Sequence, residues 1–139
     1  MKKTLKITIS LALVLALLSI SVLATAEENA IMPRYANIVG IMTGLDISIN
    51  GKATCGTSVT LYPSSNCTCT VEMTLQQNDG SGWDDLKTWT VAGGEDVFIE
   101  KYRYVDSGYD YRVESVTFVY NSNGNLVETA TTHSPTWTY

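Results

Sequence analysis

Beyond residue 26, no stretch of this 139-residue chain repeats its apolar residues at a helical period. A helix buries a stripe spaced at about 3.6 residues, so the absence of that spacing excludes a helical domain. Histidine is nearly absent as well: His133 is the only one, in a Thr/Ser-rich C-terminal stretch. A Ser–His or Cys–His nucleophile pair would have to be built around it, and no serine or cysteine is marked out as its partner. The expected role of His133 is an exposed strand-end residue. Basic residues are few, and three of the nine lie within the first six positions. The remainder are scattered through an acidic chain, which disfavours nucleic acid and anionic membranes as partners.

Metal chemistry lacks a motif. The three cysteines, Cys55, Cys67 and Cys69, have no fourth ligand near them in sequence for a closed zinc site. Asn78-Asp79-Gly80, Asp84-Asp85 and Glu95-Asp96 put oxygens in turns, but not at the spacing of a calcium-binding loop. Turn chemistry accounts for these residues, because Asn, Asp and Gly stabilise tight turns locally. No pair of the fourteen acids is singled out for glycoside cleavage. The expectation is a protein that is not an enzyme and carries no cofactor and no metal.

The first residues read as a targeting segment. Lys2, Lys3 and Lys6 precede an apolar run densest from Leu11 to Leu18, and Ala24-Thr25-Ala26 offers small residues to a signal peptidase. Residues 1–26 are therefore expected to be a cleaved signal peptide and 27–34 a flexible tail. Residues 35–139 are expected to form one β-sandwich domain. No cysteine stands near the cleavage site to accept lipid, and the C-terminus has no apolar tail, so a secreted, extracellular product is expected. Loss of the three leader lysines takes the formal charge from −5 to −8.

The rest alternates with period two. Tyr35–Met42 reads as a first strand, and Leu45, Ile47 and Ile49 as the apolar face of another. Asn50-Gly51 then marks a hairpin, since both residues tolerate positive φ. Ala53, Cys55, Thr57, Val59 and Leu61 share a face, as do Cys69, Val71, Met73 and Leu75. Leu86–Val91 follows with Trp89 and Val91 on one side. Val97–Tyr104 is apolar on both faces. Gly108–Tyr120 is the longest run rich in aromatic and β-branched residues and reads as a central strand. Tyr109, Tyr111 and Val113 alternate out of phase with Val116, Phe118 and Tyr120, so a bulge near Glu114-Ser115 is expected to bring both sets to one side. Asn121–Asn125 turns the chain into Leu126–Thr132. Seven to eight strands joined by short turns fit an antiparallel β-sandwich.

Cysteine in an exported chain suggests a disulfide. Cys67 and Cys69 point the same way on a strand and are poorly placed to bridge one another. Cys55 is expected to pair with Cys69 or Cys67, with Cys69 preferred because it lies further inside its strand, closing a loop worth about 3 kcal/mol by chain entropy; the alternative is three small buried residues in a reduced state. The leftover thiol could link two copies. Exposed aromatics are the best binding candidates, because flat rings can stack on sugars or anchor a protein partner. Trp83, Tyr109 and Tyr62 are the residues chosen, with Tyr35, Tyr102, Tyr104 and Trp137 as further partly exposed rings.

The segments Gly51-Lys52-Ala53-Thr54-Cys55, Met73-Thr74-Leu75-Gln76, Gly82-Trp83 with Trp89, Gly108-Tyr109-x-Tyr111-Arg112-Val113 and Gly124-Asn125-x-Val127-Glu128 span nearly the whole mature chain. In them the chain resembles a domain-of-unknown-function family of small secreted proteins from clostridia and their relatives. The resemblance implies a Gram-positive exporter and an immunoglobulin-like sandwich, and implies no activity. Asp106-x-Gly108 before Tyr111 is also similar to the tyrosine corner of immunoglobulin-like domains, with the tyrosine displaced by one residue. Two functions are expected from these observations: an extracellular protein-interaction module, or a carbohydrate-binding module using exposed Trp and Tyr.

Overall fold

The computed structural model describes residues 34–139. The expected signal peptide, and the expected tail apart from Arg34, lie outside the described residues. The strands are β1 (Ile38–Ile47), β2 (Lys52–Leu61), β3 (Thr68–Asn78), β4 (Trp83–Gly93), β5 (Asp96–Tyr104), β6 (Asp110–Tyr120), β7 (Leu126–His133) and the short β8 (Trp137–Thr138). A 3-10 turn, Pro63–Ser65, links β2 to β3. β1, β2 and β5 form one antiparallel sheet in the order β1-β2-β5. The other runs β4-β3-β6-β7, with β8 continuing beside β6. Because β3 and β4 cross to the second sheet before β5 returns to β2, the hairpins are shared between layers, as in the immunoglobulin-like sandwich.

Alternation decides the interior. On β2, Ala53, Cys55, Thr57, Val59 and Leu61 are buried, and their neighbours half-buried. β3 supplies Cys69, Val71, Met73 and Leu75, and β6 supplies Tyr111, Val113 and Val119. These form two clusters. Val59, Leu61, Cys69, Val71 and Val119 belong to one, and Ala53, Cys55, Met73, Leu75, Tyr111 and Val113 to the other. Fully burying a side chain such as Leu75 or Met73 contributes about 1.5–3 kcal/mol. Amid this apolar core, Thr57 and Ser115 bond hydroxyl to hydroxyl across the sheets.

The expected bulge in β6 is absent. Its register with β3 runs unbroken from Asp110 to Tyr120, and its burial alternates without a slip. Ser115 and Thr117 are the inward residues, while Val116, Phe118 and Tyr120 lie half-buried on the outer face. Hydrophobicity alone favoured a slip. The core instead accepts Ser115 because Thr57 satisfies its hydroxyl. The two expected strands between Tyr35 and Ile49 are one strand, β1, and Ile49 ends up 98% exposed in the turn that follows. Of the turn residues only Gly51 has positive φ, at 79°, and Asn50 does not. Ser48 accepts the Gly51 N–H at 2.9 Å and donates to the Lys52 carbonyl at 3.1 Å. That is a three-residue hairpin closed by a left-handed glycine.

Candidate binding surfaces

The three aromatic residues chosen from sequence do not converge. Trp83 is not in a turn: it opens β4, opposite Asn78 of β3. Its ring lies on the outer face, with the Arg112 guanidinium 4.2 Å from its centroid. Arg112 in turn donates Nε–H to Gln76 at 2.8 Å, and Gln76 donates to Asp85 at 2.8 Å. A guanidinium over an indole is favourable by about 0.5–2 kcal/mol, and here it covers one ring face. Tyr109 is half-buried and packs on the core beside Tyr111, their rings edge-on at 6.4 Å. Its backbone exchanges hydrogen bonds with Tyr139. Tyr62 lies at the opposite end of the sandwich, following Leu61. There it lines a surface hollow of about 190 Å³ with Pro63, Asn66, Cys67 and Glu95.

The cysteines correct the expected disulfide. All three are free thiols. Cys55 projects from β2 into the cluster with Met73 and Val113, whereas Cys69 projects from β3 into the cluster with Leu61 and Val119. Sequence separation suited the loop, but the two side chains enter different clusters of the core. Burial pushes the Cys55 thiol up to about 12 and raises that of Cys69. Cys67 is half-buried beside the Tyr62 hollow, its sulfur 3.4 Å from the Ser65 carbonyl.

His133 ends β7 with Nε2 2.9 Å from a Glu114 carboxylate oxygen on the neighbouring β6. Asp79 accepts from the Ser81 N–H and hydroxyl, which hold its carboxyl below the ordinary value. Among the described residues, no three His, Cys, Asp or Glu side chains gather as a metal site would require.

An exposed apolar surface lies on the outer face of the three-stranded sheet, which only the register reveals. Phe98 is paired through Ser58 to Met42, Glu100 through Gly56 to Gly44, and Tyr102 through Thr54 to Asp46. Phe98 is 66% exposed, Tyr102 and Tyr104 each 61%, and Met42 78%. No atom lies within 4 Å of where a Cβ would stand on Gly40 or Gly44. Gly56 and Ser58 on the central strand are small too, so the face is low between Phe98 on β5 and Met42 on β1. Tyr102 and Tyr104 meet edge-to-face at 6.4 Å, and the Lys52 ammonium sits 4.4 Å from the Tyr102 centroid. The sequence signal for this surface was the two-faced apolar pattern of Val97–Tyr104. It placed the tyrosines at the surface and missed Phe98 and Met42.

No family model matches the chain, and no curated protein matches it either.

Proposed function

We propose that this chain is an exported, non-enzymatic binding module that engages a protein partner across the outer face of its three-stranded sheet. Export rests on the leader and the resemblance to small secreted clostridial proteins. One observation carries the choice of surface. Phe98, Tyr102 and Tyr104 stand exposed on one strand, across a low strip of Gly56 and Ser58 from Met42 and Gly44. Aromatic anchors beside a strip that can receive a partner's side chain suit a protein interface. A glycan reading is favoured less. Sugars stack on open ring faces, and cations cover one face of both Trp83 and Tyr102.

The test is capture by a photocrosslinker placed at Glu100, followed by competition with unlabelled variants. Phe98→Ala and Tyr104→Ala are expected to stop competing, while Trp83→Ala competes as the parent does. Glycan-array binding lost in Trp83→Ala would reverse the assignment in favour of a carbohydrate ligand.

A further inference from the structure

Among the described residues, besides the two-residue β8, the edge strands are β1 and β5 on one sheet and β4 and β7 on the other. An edge exposes unpaired N–H and C=O groups, and proteins guard edges with charges and bulges. β5 carries Asp96, Glu100, Lys101 and Arg103. β4 carries Asp84, Asp85 and Lys87, with a register shift opposite Leu75/Gln76. β7 carries Glu128 and His133, with a shift at Val119/Tyr120. β1 differs. Its one charge is Asp46 near the end, its irregularity falls at Ile38/Gly40, and Gly40 to Leu45 has no guard. Among the described residues, the only backbone pairing of β1 is with β2.

We propose that β1 is a homodimerisation edge: two copies pair β1 with β1 antiparallel about a two-fold axis at Thr43, joining their three-stranded sheets into one. The bond from the Ser48 N–H to the Lys52 carbonyl sets the phase of the β1–β2 ladder. Even-numbered residues of β1 then bond β2, and Ile41, Thr43 and Leu45 turn their backbone groups outward. A two-fold at Thr43 pairs these outward residues with each other. Thr43 meets the partner's Thr43, and Ile41 meets the partner's Leu45.

On the outer face, the same register places Met42 against the partner's Gly44, and Gly44 against the partner's Met42. The methionine, 78% exposed in one copy, lies over a glycine that leaves room for it. Asp46 faces the partner's Gly40, far from its symmetry mate. An acidic chain therefore docks on itself without apposing like charges. Exposed apolar residues flank the same side: Val39 on β1, and Leu126 and Val127 on β7. β7 is held to the start of β1 by Glu128, which accepts from the Ala36 and Asn37 N–H groups at 2.9 and 2.8 Å.

The test is the solution mass of the full secreted chain by analytical ultracentrifugation, with and without reductant. The expected result is a dimer in both. Gly44→Lys and Gly44→Glu are each expected to give monomers whose melting temperature, read at low concentration, matches that of the parent. Gly44 has neither positive φ nor a neighbour where its Cβ would stand, so these variants fold. A parent that stays monomeric up to its solubility limit overturns the proposal and means that something else covers the edge. A dimer lost on adding reductant is a cysteine link and also overturns it, as does a dimer that Gly44→Lys leaves intact. Met42 and Gly44 belong to both surfaces, whereas Phe98 and Tyr104 on β5 belong only to the proposed partner face, so Phe98→Ala is expected to lose the partner and keep the dimer, which tells the two failures apart.

Discussion

The Tyr111 hydroxyl donates a hydrogen bond of 2.6 Å to the Asp106 carbonyl, five residues upstream. The ring is fully buried at the start of β6, so this bond ties the loop entering the central strand to the core. It is the bond of a tyrosine corner, reached despite the one-residue displacement of the tyrosine from that motif. Burial, then the nearby Asp106 and Tyr109 charges, raises the phenol above its ordinary value.

Tyr111→Phe is expected to destabilise the domain by about 1–3 kcal/mol, because the Asp106 carbonyl loses its partner while the packed ring remains. Urea unfolding measures this. An unchanged midpoint would show that water replaces the hydroxyl without loss.

The Thr57–Ser115 pair gives a double-mutant cycle. Either hydroxyl alone is orphaned in the core, so Ser115→Ala is expected to cost about 1–3 kcal/mol. Adding Thr57→Val to it should return part of that loss, since both polar atoms are then gone. Thr117 Oγ1 is buried with no partner. Thr117→Val is therefore expected to stabilise the fold, read as a higher melting temperature.

Gly51 holds the β1–β2 turn at φ 79°, and a Cβ there would stand 2.7 Å from the Val105 carbonyl oxygen. Tyr139 also reaches this turn, its hydroxyl donating to the Ile49 carbonyl at 3.1 Å. Gly51→Ala is expected to lower stability by roughly 1–3 kcal/mol, from strain and the clash together. Calorimetry measures it. A loss below half a kcal/mol, in order-of-magnitude terms, would mean the turn relaxes freely.

Thiol chemistry should separate the cysteines. Under native conditions iodoacetamide is expected to modify Cys67 first, since Cys55 and Cys69 are buried. Mass spectrometry of peptides locates the adduct. The raised Cys55 value also makes stability depend on pH. The folded chain holds this proton from about pH 9 to about pH 12, where the unfolded chain releases it. Stability from this group is present below pH 9 and falls by about 1.4 kcal/mol per pH unit through that window. Cys55→Ala should flatten the alkaline decline relative to the parent. An identical slope in the two proteins would remove Cys55 as its cause.

Much of the sandwich was legible in the chain because its signals are local. The alternation of Ala53 to Leu61 and of Cys69 to Leu75 specifies which side chains turn inward, whatever sheet they join. Gly51 and the Asn78–Gly82 cluster mark turns by their own backbone preferences. These features depend on residues near one another in sequence, and so the sequence by itself determined an all-β chain of about eight strands. Three things were decided only in three dimensions. Ser115 became a core residue because Thr57, on the other sheet, supplied its hydrogen bond. Cys55 and Cys69 stayed apart because the register of β2 and β3 sets them in different core clusters. Phe98, Met42 and Gly44 became one surface because register places side by side residues that sequence separates, and nothing local to any of them encodes that pairing.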